Sequence, residues 1–207
     1  VTRSESYAAA LQECDAVINL VGIIREYPGE GVIFERLHGE ATRTLLAAAR
    51  KGGEKRFLQM SALGARPAAV SRYHQTKYRA EEEVRQSGLE WTIFRPAIIF
   101  GPRDDFINRL ARLVVKLPVV PVIGDGSYRL QPIHADDVAR CFATALEMPE
   151  TIGKTFELCG MDRFSYLELL DGIGRVLGRR TVRKIRLPLG LMEALIPHLQ
   201  RFPFFPI

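Results

Sequence analysis

Apolar residues follow two different patterns in the first quarter of this chain. Residues 15–22 (DAVINLVG) are apolar at nearly every position, which is typical of a strand buried on both faces of a parallel sheet. From residue 32 to 51 the apolar positions recur with a helical period, at 33, 34, 37, 41, 45 and 48. Gly52 and Gly53 follow as helix stop signals. A strand and then a helix are therefore predicted.

The same succession repeats in the next 45 residues and is followed by a third strand. Residues 56–60 read as a second strand, and Ser71 is a suitable N-cap for a helix that runs to residue 86. Residues 91–95 read as a third strand, which Pro96 ends. Short strands that alternate with helices predict a right-handed parallel βαβ arrangement.

After Pro96 the pattern is less regular. We predict helices at about 104–117, 136–148, 165–178 and 189–199, and extended segments at 128–134, 155–159 and 183–187. Ser165 and Glu168 form a capping box at the start of one of these helices. The proline-rich residues 117–126 are predicted to be a connector.

Composition is that of an ordinary globular protein. Of 207 residues, 47% are hydrophobic and 26% are charged. No apolar run reaches the roughly 18 residues that span a bilayer, and the first ten residues lack the apolar core of a signal peptide. Cys14, Cys141 and Cys159 have no metal-binding spacing, so reduced core thiols in a cytosolic protein are expected.

The net charge of +5 comes mostly from arginine. A basic cluster lies late in the chain, at Arg175, Arg179, Arg180, Arg183, Lys184 and Arg186. It leaves three interpretations open: a solvated surface, a contact with anionic lipid or an acidic protein, and nucleic-acid binding. Nucleic-acid binding is the least favoured of these, because no aromatic-rich or zinc-type module accompanies the cluster.

The clearest chemistry lies between the second and third strands. Ser61 ends a strand, and Tyr73 and Lys77 are spaced i and i+4 on the following helix, where they share a face. A cation beside a phenol lowers the phenol pKa and makes it a usable base, and the serine is placed to bind the same substrate oxygen. This pattern predicts a Ser/Tyr/Lys proton-transfer set, although a Tyr-x-x-x-Lys spacing alone also fits a solvated helix face.

Five segments resemble the extended or atypical short-chain dehydrogenases/reductases, the NAD-dependent epimerase/dehydratase family, in family order. They are DAVINLVG (15–22), MSALGA (60–65), YHQTK (73–77), FRPAIIFGP (94–102) and PIHADDVAR (132–140). The branch most similar includes the dehydrogenase-fold accessory subunit of respiratory complex I. The resemblance implies an α/β fold, a Rossmann-like doubly wound parallel sheet with a small α/β substrate subdomain on its C-terminal side. We assign a partial NAD(P)-binding domain to 1–102 and a mixed region to 103–207, with a further Rossmann strand and helix at about 128–148.

The resemblance also implies roles for single residues. Val21 and Gly22 would lie beside the adenosine ribose or pyrophosphate of a bound NADP or NAD. The family's catalytic triad, which also contacts the cofactor, is matched by Ser61, Tyr73 and Lys77. The segment that flanks the nicotinamide is matched by Pro96, Ala97, Ile98 and Ile99. The region that shapes the substrate pocket is matched by Arg129 and His134.

The sequence departs from the family at its start. No G-x-x-G-x-x-G-like run precedes residues 15–22, so the turn that holds a pyrophosphate is missing, as is the residue that separates NAD from NADP. Because residues 201–207 (RFPFFPI) also stop where relatives continue, we expect an incomplete chain. Residues 15–22 would then be a bare apolar edge, which another chain, a swapped copy or a further segment is expected to cover. The short interval from Ser61 to Tyr73 predicts a substrate pocket unlike that of sugar-nucleotide epimerases.

Two functions stay open at this point. The first is an NAD(P)H-dependent oxidoreductase, or a nucleoside-diphosphate-sugar epimerase or dehydratase, that acts on an unknown small molecule. The second is a non-catalytic nucleotide-binding structural or assembly protein, suggested by the basic cluster and the apolar residues 187–207. We expect a cytoplasmic protein, peripheral to a membrane or a protein complex in the second case, with a homo-oligomeric or partner contact and no metal.

Overall fold

The computed structural model describes Tyr7, Ala10, Leu11, residues 14–53 and 55–188, and Gly190. Its strands are β1 (Ala16–Asn19), β2 (Arg56–Met60), β3 (Glu90–Pro96), β4 (Ile99–Phe100), β5 (Val120–Ile123), β6 (Arg129–Leu130), β7 (Ile133–His134), β8 (Lys154–Leu158), β9 (Phe164–Ser165) and β10 (Lys184–Leu187). Its α-helices are α1 (Ala41–Gly52), α2 (Arg72–Arg85), α3 (Ile107–Lys116), α4 (Ala135–Glu147) and α5 (Tyr166–Val176). A π-helix (Glu35–Glu40) precedes α1. The predicted helix at 189–199 and the apolar tail lie outside the described residues, apart from Gly190 and the end of β10.

The chain divides into two compact units whose segments alternate along the sequence. Residues 1–97 and 136–158 form the first unit, and residues 98–135 and 159–207 form the second. None of the helices in the described part of the chain is long and apolar enough to cross a membrane.

The first unit is built on a four-stranded parallel sheet in the order β1-β2-β3-β8. Helices α1 and α2 cover one face, where Leu45 and Val84 pack with Val17 and Phe57 in one apolar cluster. Helix α4 covers the other face, because Phe142 packs against a phenylalanine of β3 with ring centroids 4.6 Å apart. The predicted α/β fold with a doubly wound parallel sheet is confirmed.

Strand β1 lies at the edge of this sheet and, among the described residues, pairs with β2 alone. Ile18 is 42% exposed, whereas Leu58, its lateral partner on β2, is fully buried. Leu20, just beyond the strand, is 58% exposed. The predicted edge is therefore present, and its cover by another segment or chain stays a prediction.

The second unit contains three strand pairs and the helices α3 and α5. Strands β5 and β10 are parallel, as are β4 and β7, and β6 and β9 are antiparallel. The core between the two helices contains Leu110, Val114, Val120, Val122, Leu170 and Val182. The predicted capping box of Ser165 and Glu168 opens α5.

Residues 117–126, predicted to be a proline-rich connector, contain the strand β5, which was not predicted. The Val120 amide donates to the carbonyl of Arg183, just before β10, and the Gly124 amide donates to the carbonyl of Leu187 in β10. Pro121 lacks an amide hydrogen, but in the alternating pattern of a strand its nitrogen faces away from β10. A proline at this position therefore costs no hydrogen bond with the paired strand.

Candidate nucleotide site

The carboxyl ends of β1 and β2 meet the first two turns of α2 in the first unit. The Ser71 side chain accepts a hydrogen bond from the His74 amide, so it caps the amino end of α2 as predicted. This start of the helix sets Tyr73 in the first turn and Lys77 in the second. In an open α/β sheet, ligands bind at the carboxyl ends of the strands.

Lys77 is the central charged residue of this edge. It is only 4% exposed, and its Nζ donates to the Met60 carbonyl at 3.2 Å and to the Val21 carbonyl at 3.5 Å. Burial lowers the pKa of Lys77 to about 8, an effect that the nearby Glu81 carboxylate partly opposes. An ammonium has three donors, so one donor has no acceptor among the described residues.

Gly22 makes room for this ammonium. A Cβ atom at position 22 would lie 2.6 Å from Lys77 Nζ and 3.7 Å from His38 Nε2. Any other residue would thus push the Lys77 ammonium away from the end of β1, whereas His38 would be in ordinary van der Waals contact. The neighbouring Val21 amide donates to the Asn19 side chain, and this bond helps to fix the loop.

Asn19, a polar side chain inside an apolar strand, is a structural residue of the sheet. Its Nδ2 donates to Gln59 on β2 at 2.9 Å and to Thr42 on α1 at 3.2 Å. All three side chains are buried. These bonds satisfy the amide and tie β1 to its neighbours.

Tyr73 lies in an aromatic environment. Its ring packs edge-on against Phe34, His38 and His74, with centroid distances of 5.8, 5.5 and 5.0 Å. Burial raises the pKa of Tyr73. The expected lowering of this pKa by Lys77 is not observed, because burial dominates and the hydrogen bonds of Lys77 go to backbone carbonyls.

Ser61 is 3% exposed and donates to Glu81 Oε1 at 2.5 Å. Glu81 is fully buried, and it also accepts two hydrogen bonds from Arg95 at 2.8 and 2.7 Å and one from Arg85 at 2.7 Å. The only proton of the Ser61 hydroxyl is thus used inside the fold. The hydroxyl would have to leave Glu81 before it could donate to a substrate.

His38 is a residue of this edge that the sequence analysis missed. It is 1% exposed, and its Nδ1 lies 2.9 Å from Thr76 Oγ1 on α2. Its Nε2 lies 3.2 Å from the Ile23 amide. In the sequence, His38 is a histidine inside a helical pattern. This pattern fits a core histidine as well as a histidine of a functional site.

The remaining predicted residues divide between the two units. In the first, the Pro96 carbonyl accepts from the Leu63 amide at 2.9 Å and the Ala97 amide donates to a β8 carbonyl. In the second, the carbonyl of Ile98 accepts from Ile133, and Ile99 pairs with Ile133. Arg129, in β6, pairs with Ser165, and the His134 ring packs edge-on against Phe100 at 5.2 Å. The first unit thus brings together Val21, Gly22, Ser61, Tyr73 and Lys77, and the substrate assignments of Arg129 and His134 stay predictions.

No group of histidine, cysteine, aspartate and glutamate in the described part of the chain has an arrangement suited to a metal ion. The three cysteines are free thiols, and Cys14 is exposed, which differs from the core position expected. It precedes β1 and therefore lies at the rim of the sheet.

Comparison with known families matches residues 1–149 to a family described as NAD(P)H-binding. Subunit 9 of the mitochondrial NADH dehydrogenase [ubiquinone] 1 alpha subcomplex from Arabidopsis thaliana is 35% identical over 193 residues, 92% of this chain and 47% of the relative. A ceramide reductase from Caulobacter vibrioides is 31% identical over 174 residues, 84% of this chain and 53% of the relative. The chain spans about half the length of these curated relatives.

Solved structures with the same fold are NAD-dependent sugar enzymes. UDP-glucuronic acid 4-epimerase from Bacillus cereus, in complex with NAD, matches with a TM-score of 0.78 and 21% identity, over 87% of this chain and 65% of that one. The dTDP-glucose 4,6-dehydratase of Streptomyces venezuelae, with NAD bound, matches with a TM-score of 0.75 and 21% identity, over 89% and 65%. At this identity the likeness establishes the Rossmann-type fold.

Among the described residues, Lys77 has the position and the chemistry needed to bind a nicotinamide nucleotide. Lys77 is a buried cation with a spare donor, and it lies beneath a glycine at the edge where this fold binds its ligands. Ribose hydroxyls are acceptors that such a donor can bind.

Proposed function

Because the chain belongs to the NAD(P)H-binding, short-chain dehydrogenase/reductase-like family, we propose that it binds its nicotinamide nucleotide at the carboxyl ends of β1–β3, with Lys77 as the principal polar anchor. The observation that carries the proposal is the buried Lys77 ammonium, which has three donors and two backbone acceptors. The backbone of Val21 and Gly22 would line the adenosine side of the nucleotide. Pro96 and Ala97 would flank its nicotinamide, and the same assignment for Ile98 and Ile99, which belong to the second unit, stays a prediction from the sequence.

The first experiment is a fluorescence titration with NADH and NADPH in parallel, since both nucleotides stay candidates. We expect micromolar or tighter binding of at least one, and a loss of roughly tenfold or more in Lys77→Met, because hydrogen bonds to a charged donor are among the stronger ones. Lys154→Met is the matched control, since Lys154 starts β8 at the opposite end of the sheet. Equal affinity in wild type and Lys77→Met would refute the anchor role.

The second candidate function is reduction of a substrate carbonyl, and the environment of Tyr73 favours it. A tyrosine phenol is protonated at neutral pH, and burial raises the pKa of Tyr73 further, so Tyr73 would act as the acid that donates a proton to the substrate oxygen. A bound NAD(P)H supplies the hydride for the carbon of the same carbonyl. One relative named as a ceramide reductase supports this class of reaction. The substrate roles of Arg129 and His134, which belong to the second unit, stay predictions from the sequence. An epimerase or dehydratase reaction has the support of the fold alone.

Tyr73→Phe separates this second candidate from simple binding. We expect the variant to bind NADH or NADPH within about twofold of wild type, because the phenol is not the proposed anchor, and to lose turnover with carbonyl substrates. Turnover that survives in Tyr73→Phe would remove Tyr73 from the mechanism. No turnover by wild type across a carbonyl panel would leave nucleotide binding as the function of the chain.

A partner is proposed for the open edge of β1. The exposed apolar side chains of Ile18 and Leu20 lie there, and edges of this kind pair with further strands. Relatives named as subunits of NADH dehydrogenase favour a protein-complex setting. Light scattering of wild type and Ile18→Lys tests a homo-oligomeric contact, which the charge should weaken. If both proteins are monomers, the edge would be covered by a different chain or by a further segment of this one. Pull-down tests for a protein complex, and vesicle sedimentation tests for a membrane surface. A cytoplasmic protein without partners would give neither signal.

A further inference from the structure

Glu81 is a fully buried carboxylate that joins three elements of the first unit. It lies on α2, and it accepts from Ser61 just after β2 and from Arg95 on β3. Arg85, one turn further along α2, donates to the same carboxylate. A charge without exposure persists only when such partners satisfy its oxygens.

The same strand end is also held one helical turn earlier. Lys77 and Glu81 are spaced i and i+4 on α2, so they stand on one face. Lys77 donates to the Met60 carbonyl, and Glu81 accepts from the hydroxyl of the next residue, Ser61. Two consecutive turns of α2 therefore form hydrogen bonds with two consecutive residues at the end of β2, Met60 and Ser61.

This arrangement gives Ser61 a role other than the one its position in the sequence implies. Its hydroxyl is buried and donates to Glu81, and the next three residues of the chain, Ala62, Leu63 and Gly64, carry no hydroxyl. The end of β2 thus presents no side-chain hydroxyl that is free for a substrate oxygen.

We propose that Glu81 is a positioning residue of the nucleotide edge, which fixes the ends of β2 and β3 through Ser61 and Arg95 and so holds the Met60 carbonyl to which Lys77 donates. The inference rests on the proposed nucleotide function, and it makes Ser61 a positioning residue that acts through Glu81. Release of the strand end would let Lys77 move off Met60 and would weaken nucleotide binding without the loss of any direct contact.

Four single variants and one double variant test the inference by nucleotide titration, well below the unfolding temperature of each. Ser61→Ala removes one hydrogen bond to Glu81, and Glu81→Gln removes the charge. The controls lie on the same helix: Val84→Ala opens the fully buried core, and Glu83→Gln removes a charge from an exposed ion pair with Arg43. The double variant combines Ser61→Ala with Glu81→Gln.

We expect Ser61→Ala, which removes one hydrogen bond, to raise the dissociation constant about fivefold. Glu81→Gln replaces a charged acceptor of four hydrogen bonds and should raise it about tenfold or more. Val84→Ala should lower the melting temperature by several degrees with a dissociation constant within about twofold of wild type, and Glu83→Gln should change neither. The double variant should bind like Glu81→Gln, because Ser61 acts through Glu81.

Two results of the titration would overturn the inference. If Ser61→Ala and Glu81→Gln change only the melting temperature, as Val84→Ala does, the network is structural and positions nothing. If the two effects multiply in the double variant, Ser61 contacts the nucleotide itself. Should Glu81→Gln fail to fold, the comparison of Ser61→Ala with Val84→Ala decides.

A second measurement is independent of nucleotide binding. Mass spectrometry would follow the acylation of the Lys77 amine at about pH 8 in wild type, Ser61→Ala and Val84→Ala. Faster modification in Ser61→Ala than in Val84→Ala supports the positioning of Lys77 by this network, and equal rates in all three proteins overturn it. If wild type binds neither nucleotide, the proposed function fails and this rate alone decides the inference.

Discussion

Because His38 is buried and has a lowered pKa, the stability of this protein should depend on pH between about pH 6.5 and pH 4. Burial and, to a smaller extent, the positive charge of Lys77 lower the pKa of His38 to about 4, although the hydrogen bond to the Ile23 carbonyl opposes the shift. Both ring nitrogens have partners when His38 is neutral: Nδ1 lies 2.9 Å from Thr76 Oγ1, and Nε2 lies 3.2 Å from the Ile23 amide nitrogen and 3.1 Å from the Ile23 carbonyl oxygen. Thr76 is free to accept, because its own hydroxyl donates to a backbone carbonyl.

The sign of the effect follows from proton binding. Between about pH 6.5 and pH 4 the unfolded chain holds a proton on His38 that the folded chain does not, so stability falls as the pH falls. A shift from 6.5 to about 4 corresponds to roughly 3 kcal/mol in total. About 2 kcal/mol of this should be lost by pH 5, because titration is then only partly complete.

Urea unfolding of wild type and His38→Gln at about pH 7.5 and pH 5 measures this contribution. His38→Gln should be less stable than wild type at pH 7.5, and the difference should shrink by about 2 kcal/mol at pH 5. His74→Gln is the control, since it removes the neighbouring imidazole of α2 but leaves His38 in place. A stability difference between wild type and His38→Gln that does not change with pH would refute the reasoning, and so would an NMR titration that shows His38 protonated at pH 5.

Two further predictions concern the residues around Lys77. Gly22→Ala should lower the free energy of unfolding by about 1–2 kcal/mol and weaken nucleotide binding, because the new Cβ would lie 2.6 Å from Lys77 Nζ and force the side chain away. Thermal unfolding and nucleotide titration measure the two effects. Wild-type affinity in Gly22→Ala would show that the close approach of Gly22 to Lys77 is not needed. The lowered pKa of Lys77 means that wild type gains stability as the pH rises through about 8, since the unfolded chain then still holds the proton. The gain between about pH 7.5 and pH 9.5 should be about 2 kcal/mol relative to Lys77→Met, and parallel pH profiles of the two proteins would contradict it.

The sheet of the first unit could be predicted because its sequence pattern and its burial agree. Residues 56–60 were predicted as a strand with the bounds that β2 has, and the continuous apolar run of β1 matched a parallel sheet. Residues 117–126 were not predicted correctly, because prolines mark loops in most contexts and only the pairing with β10 shows that Pro121 needs no amide. The missing factor there was a partner more than 60 residues away in the chain.

The sequence contains the residues of the candidate site but does not predict the hydrogen bonds between them. The spacing of Tyr73 and Lys77 and the strand-end position of Ser61 are local features, so the sequence contains them. The commitment of Ser61 to Glu81 depends on how α2 packs against β2, and no spacing rule encodes it. The role of His38 was not predicted for the same reason: its environment depends on how a π-helix packs against the loop after β1.

The protonation states at this edge follow from one charge balance. Lys77 is a buried cation whose nearest anion, Glu81, is already shared with Arg95 and Arg85. The positive charge is therefore incompletely compensated, which disfavours a second cation on His38. An anionic nucleotide at this edge would supply the missing negative charge, and by linkage it would raise the pKa of Lys77 as it binds. With the nucleotide bound as proposed, Lys77 would therefore be more fully charged near pH 8 than it is in the free protein.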